Sequence, residues 1–184
     1  TNDEIAFLEE QDKPDPSKTN KEVELSIESE KIKIGDYFGG GIVFYVDYVN
    51  QQGLVCSIDD IYKKNISWSN SNILTGANDK DVGWGAINTD KIILKHGDVP
   101  NSSYAALVKS YKGSGFTDWF LPSASELQLI YSERSSINKA IKMAGGDTLR
   151  LNLYYASSTE NNRETAISIY FGTGRIGYSK KTNK

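Results

Sequence analysis

The sequence predicts an α+β domain: a small twisted antiparallel sheet with short helices around it and long loops between them. Three observations carry that reading. Two apolar runs, residues 42–46 and 54–58, flank a turn ending at Gly53 and read as a hairpin. Residues 165–171 alternate with period two, and residues 175–179 return after Gly172-Thr173-Gly174 as a second hairpin. Helical patterns lie between them. In one, Tyr104, Leu107, Val108 and Tyr111 fall at i, i+3, i+4 and i+7.

Residues 1–31 stand apart from this domain. They hold ten acidic and four basic residues, a net charge of −6, with Pro14 and Pro16 and almost no aromatics. Such a composition cannot bury enough surface to offset its ordering entropy, so the segment reads as a solvated acidic tether. Within it, residues 5–10 suit a helical turn or two, and residues 23–27 suit a weak edge strand. The remainder, residues 32–184, carries +3 and forms the folded domain. The overall charge of −3 gives no sign of a nucleic-acid partner. No apolar run reaches the roughly 18–20 residues of a membrane span. The chain opens at Thr1 without an initiator Met, which reads as a processed or trimmed start and is consistent with removal of a leader.

The domain begins with Gly39-Gly40-Gly41 before the first core strand. Phosphate cradles place their glycines ahead of a helix, so these glycines read as a tight bend with close backbone approach. Cys56 lies in the returning apolar run. As the only cysteine it excludes an internal disulfide or a Cys-pair metal site, and it reads as a small buried hydrophobe rather than a nucleophile.

Residues 59–85 form a long loop, and such loops are often functional. Asn78, Asp79 and Asp81 offer oxygen ligands to a calcium ion, although they do not match the EF-hand loop; turn formation accounts for the same residues. Trp68 and Trp84 read either as core plugs or as part of a stacking surface. Asn88 or Thr89 then caps a helix over residues 90–95, stopped by Gly97. Ser102 or Ser103 caps the next, ended by Gly113. His96, the sole histidine, reads as a helix C-terminal cap.

The organising stretch is Thr117-Asp118-Trp119-Phe120-Leu121-Pro122-Ser123-Ala124-Ser125-Glu126-Leu127. Residues 118–121 read as a short buried extended run anchored by Trp119. Pro122 keeps Leu121 out of helical angles. Ser123 and Glu126 have the spacing of a capping box and open a helix from residue 124 to about 134, with Leu127, Ile130 and Tyr131 on one face. Ile137, Ala140, Ile141 and Ala144 mark another helix, closed by Gly145-Gly146. Residues 154–159 read as a strand. From Arg163 onward the chain is basic: Arg163, Arg175, Lys180, Lys181 and Lys184 against Glu164 alone. These form either a solvated tail or an anion-binding strip.

Three motifs in this order resemble one known family. They are Gly35-Asp36-(x)2-Gly39-Gly40-Gly41-Ile42-Val43-Phe44-Tyr45-Val46-Asp47, the Thr117 to Leu127 stretch, and Tyr155-Ala156-Ser157-Ser158-Thr159-Glu160 followed by an alternating strand and Phe171-(x)2-Gly174. The chain resembles the family of the C-terminal domain of Legionella collagen-like adhesin over roughly residues 34–180. That family is similar to the C-type-lectin-like and formylglycine-generating-enzyme-like group. The resemblance implies a C-type-lectin-like fold in a bacterial surface or secreted module. Such a module would be exported, with a lipid anchor upstream in a lipoprotein. It carries over no catalytic residues. It also implies a last strand pairing near the first. This chain stops at Lys184, so either that strand is cut away or the sheet closes differently.

The functional expectation is a non-enzymatic, cell-surface ligand-binding module, an adhesin that recognises anionic glycans. Trp68 and Trp84 would stack on sugars, and Arg163, Arg175, Lys180 and Lys181 would meet sulfate or carboxylate. Its partner is a host or environmental glycan or a surface protein. The alternative is a structural or assembly subunit of a surface layer or oligomeric stalk. An enzyme of the formylglycine-generating type needs a reactive cysteine pair, which Cys56 alone does not supply. Asp118 and Glu126 are explained by turn and cap geometry rather than as an acid/base pair.

Overall fold

A computed structural model describes residues 31–184 except 63–64, 100–101 and 183–184. The tether reading of residues 1–31, with its helical turns and edge strand, therefore lies almost wholly outside the described residues. The elements run β1 (Tyr37–Phe38), β2 (Gly41–Asp47), β3 (Gln52–Ser57), α1 (Gly85–His96), α2 (Tyr104–Ser110), α3 (Ala124–Ser132), α4 (Arg134–Met143), β4 (Tyr154–Glu160), β5 (Thr165–Tyr170) and β6 (Arg175–Lys180). Ile34–Lys184 forms one compact unit.

The α+β class holds, but the described strands form two antiparallel sheets of three, β1-β2-β3 and β4-β5-β6, rather than one. Each sheet is a local meander, and helices join the two. Leu127 and Ile130 of α3 and Ile137 and Ile141 of α4 pack with Ile42 and Phe44 of β2 and with Ile169 and Phe171 of the second sheet. The layers are thus held by apolar burial, not by a shared hydrogen-bond ladder. A second cluster gathers Trp68, Ala77, Ile92, Ala105 and Ala166 under the long loop.

The glycine bend works as its sequence suggests. Gly39 and Gly40 have positive φ, and a Cβ on Gly41 would stand 2.4 Å from the Cys56 carbonyl oxygen of the neighbouring strand.

Several sequence expectations are corrected. Helix α1 starts at Gly85, so Asn88 and Thr89 are buried inside it rather than capping it. Thr89 is held inward by its Oγ1, which donates to the Gly85 carbonyl one turn back in α1 at 2.7 Å and accepts from the distant Leu121 N–H at 3.0 Å. Ser103 caps α2 as expected, but the buried residues are Ala105 and Ala106, because close packing against the loop favours small side chains over the aromatic stripe. Helix α3 ends at Ser132, and α4 follows from Arg134. Residues 118–121 carry no regular secondary structure, so no strand leads into the Pro122 corner. Trp119 is half-buried rather than a core anchor. It lies edge-on to Tyr111 at 5.6 Å and donates to the Gly113 carbonyl at 3.3 Å.

Candidate functional site: a groove on the second sheet

The frame beneath the site is a buried polar seam. Strand β4 pairs with β5 at Ala156↔Ser168 and next at Glu160↔Ala166, so three residues of β4, 157–159, bulge against Ile167. The bulge frees backbone groups from the ladder, and other segments take them up. The Ser158 N–H donates to the Pro122 carbonyl at 2.7 Å, and the Glu160 N–H donates to the Ala77 carbonyl at 2.7 Å. Thr159 Oγ1 accepts from the Ala124 N–H and donates to the Asp79 carbonyl, each at 3.0 Å.

The capping box at Ser123 and Glu126 is present, and Glu126 does more than close it. Its Oε2 accepts from the Ser123 N–H at 2.8 Å, while Oε1 accepts from the Gly83 N–H at 2.7 Å and the Gly85 N–H at 3.4 Å. One buried carboxylate therefore serves the N-termini of both α3 and α1. Ser123 Oγ also donates to the Asp81 carbonyl at 2.8 Å.

At the other end of the seam, Lys181 is fully buried and ion-paired to Glu160. Its Nζ also donates to the Ile73 carbonyl at 2.9 Å and lies 4.9 Å from the centre of the Trp68 ring. Glu160 Oε1 accepts from the Thr75 N–H at 2.8 Å and from Thr75 Oγ1 at 3.1 Å. Burial pushes the Glu160 carboxyl up, but the Lys181 ammonium and the Thr75 donors outweigh it and hold it below the usual carboxylate range.

This arrangement sorts the residues expected from the sequence. Trp68 and Lys181 are corrected: neither faces solvent. Trp68 is a core plug whose Nε1–H donates to the Ser157 carbonyl at 2.8 Å. Lys181 is spent inside the molecule because the bulge places Glu160 under the long loop. Trp84 is exposed at the start of α1, with Lys91 Nζ 5.4 Å from its ring centre. The calcium candidates are tied to protein groups: Asp79 is salt-bridged to Lys91 at 3.0 Å, and the Asp79 and Asp81 carbonyls accept from Thr159 and Ser123. Asn78 is exposed beside them. Among the described residues no group of three His, Cys, Asp or Glu could hold a metal ion.

The exposed cations do not form a single strip. Lys180 pairs across from Thr165, at the end of the sheet where the turn carries Arg163, while Arg175 pairs across from Tyr170 at the other end. Arg175 and Lys180 are five strand steps apart, roughly 17 Å, and their side chains leave opposite faces.

What the structure brings together instead is a groove of about 230 Å³ between α3 and the second sheet. Its floor is Ile167 and Ile169 of β5, both buried. One wall is Ile176 and Tyr178 of β6, which are 54% and 63% exposed. The other is Ala124, Ser125 and Gln128 of α3. Lys80 stands at the rim, its carbonyl fixed by the Ser125 N–H at 2.9 Å. Lys180 shares the groove-side face of β6 with Ile176 and Tyr178 by strand alternation. The groove thus offers an apolar floor, an exposed phenol ring and ammonium groups at its edge. Sequence reasoning missed Lys80, Gln128 and Tyr178. The available signal was Ile176 and Tyr178 on one face of a short terminal strand, where a solvent-facing edge would ordinarily be polar.

The sole thiol and the sole imidazole, Cys56 and His96, lie outside the groove. Burial pushes the Cys56 thiol up to about 12. His96 is buried, its Nδ1 is 2.8 Å from Asn70 Oδ1, and its Nε2 has no hydrogen-bond partner. Burial, and then the Lys181 charge, holds its imidazole below the ordinary histidine range. No helix among the described residues is long and apolar enough to cross a membrane. No protein-family model matches the chain, and no curated protein matches it.

Proposed function

We propose that the chain is a non-enzymatic ligand-binding module whose C-type-lectin-like frame presents the α3–β6 groove to an anionic glycan. The observation that carries this reading is the juxtaposition, on one open surface, of the exposed Tyr178, the apolar floor of Ile167 and Ile169, and the cationic residue Lys80 in the lining. A sugar ring presents an apolar face that stacks on an aromatic side chain, while its sulfate or carboxylate meets an ammonium at the rim. The groove volume is below the usual range for drug-sized ligands and suits about one sugar unit of a longer chain. The raised thiol of half-buried Cys56 and the burial of His96 support the non-enzymatic part of the reading. As a display module on a bacterial surface, the domain would serve adhesion, with recognition in the groove and stability in the polar seam.

The test is retention on immobilised heparin across a salt gradient, with Tyr178→Ala and Lys80→Glu as variants. The reading predicts retention that is lost at moderate salt, weakened by either substitution, and insensitive to removal of calcium. Retention unchanged by both variants would refute the groove as the site.

A further inference from the structure

We infer that the outer edge of β6 is a strand-addition site for an extended acidic peptide of a protein partner. This goes beyond the glycan reading, because it uses the in-plane backbone of β6 rather than the groove above it, and it stands if that reading fails.

The two edges of the second sheet differ. The β4 edge is occupied, with the Ser158 N–H on the Pro122 carbonyl and the Glu160 N–H on the Ala77 carbonyl. Among the described residues β6 pairs with β5 alone, through six consecutive positions from Arg175↔Tyr170 to Lys180↔Thr165. Five of its six residues are exposed, and among the described residues β6 makes no backbone hydrogen bond outside its ladder with β5. An exposed edge of this kind is a template for another strand, and main-chain hydrogen bonds supply the affinity when an extended peptide joins it.

Charge selects the occupant. Strand β6 reads Arg175-Ile176-Gly177-Tyr178-Ser179-Lys180, with a cation at each end and no acid between. The cations at its two ends favour a strand with an acid at each end, since opposite charges placed across from each other are stabilising. An antiparallel partner with apolar residues opposite Ile176 and Tyr178 would also extend the apolar surface of the groove wall. The adjoining turn carries Arg163 and Glu164, whose charges cancel. The chemistry therefore fits a segment reading acid, polar, apolar, polar, apolar, acid.

The experiment uses the full 184-residue chain and a blocked hexapeptide of glutamate, serine, valine, threonine, valine and glutamate as the probe. Binding is read by fluorescence polarisation, and the site by amide hydrogen exchange. The inference predicts salt-sensitive binding, slowed exchange at alternate β6 amides, and loss of binding when the peptide is N-methylated at the alternate amides that face the edge. Arg175→Glu with Lys180→Glu should weaken the acidic peptide roughly tenfold and strengthen a lysine-ended analogue by a similar factor. Inorganic sulfate is the control for charge alone and should leave β6 exchange unchanged. Absence of binding, equal binding of the N-methylated peptide, indifference to the charge reversal, or equal β6 protection by sulfate would each overturn the inference. So would self-association of the unliganded chain with β6 amides protected, which would assign the edge to a second copy.

Discussion

Replacing Lys181 with Met removes one charge from a buried pair, leaving the Glu160 carboxylate uncompensated and the Ile73 carbonyl without its Nζ donor. Breaking a buried ion pair at one partner costs about 3–5 kcal/mol, because the remaining charge is left uncompensated. Glu160 keeps its bonds from the Thr75 N–H and Oγ1 and from the Gly76 N–H at 3.3 Å, which offset part of that loss. The expected destabilisation is therefore near the low end, about 3 kcal/mol. Urea unfolding followed by tryptophan emission measures it, with Trp68 reporting on the site itself. Adding Glu160→Gln to Lys181→Met removes the orphaned charge and should recover at least half of the deficit.

The pH dependence supplies a sign that a merely steric defect would not give. In the parent chain Glu160 is held below the carboxylate reference value of 4.5, so its contribution is present above that value and is lost as pH falls through the folded value. In Lys181→Met the lowering influence of the ammonium is gone, so the Glu160 carboxyl titrates higher than in the parent, and the deficit relative to the parent should shrink on acidification. A loss under about 1 kcal/mol, or a double variant no better than the single one, would refute the view that this pair locks the long loop to the second sheet.

Four further outcomes follow from the geometry. Trp68→Phe keeps the ring but deletes the donor to the Ser157 carbonyl inside the bulge, and should lower stability by about 1–3 kcal/mol in denaturant unfolding. Ser123→Ala removes the cap to the Glu126 N–H, at 3.2 Å, and the bond to the Asp81 carbonyl; a loss of about 1–2 kcal/mol is expected by thermal denaturation. Gly41→Ala should destabilise more than Gly76→Ala, because its Cβ meets the Cys56 carbonyl at 2.4 Å whereas Gly76, at φ +79°, has open space and only backbone strain of about 1–2 kcal/mol. Because the folded-state imidazole of His96 is held below its reference value of 6.5, stability should fall as pH drops from that value toward the folded one. His96→Asn should flatten that slope, as measured by melting temperature against pH.

The helix start after Pro122 was readable, although the strand expected before it was not formed, because a capping box is local: Ser123 and Glu126 are three residues apart, and nothing distant is needed to form the two bonds between them. The hairpins were readable for the same reason, since alternation and turn glycines fix register over a few residues. Helix α1 was read too short because its N-terminus is served by Glu126, 41 residues beyond Gly85, and not by a capping side chain of its own. Lys181 was misread as a surface cation because charge at a chain end ordinarily stays solvated, and its partner Glu160 is recruited by a bulge that leaves no periodic trace. The division into two sheets escaped for a related reason: strand patterns report pairing within a hairpin, while helices α3 and α4 decide whether two hairpins share a ladder or only a core. Of the groove, Lys180 was named from its charge, but the ring beside it was not, because the face a residue presents depends on where α3 lies.

The most direct test of recognition at the α3–β6 groove is an amide and side-chain chemical-shift map of the chain titrated with a short heparin oligosaccharide. The proposal predicts fast-exchanging shifts confined to Lys80, Ser125, Gln128, Ile176 and Tyr178, with the Tyr178 ring protons moving upfield as a sugar face stacks on them. Shifts centred on Trp84 and Lys91 with none at Tyr178, or no shifts at any ligand concentration, would contradict it.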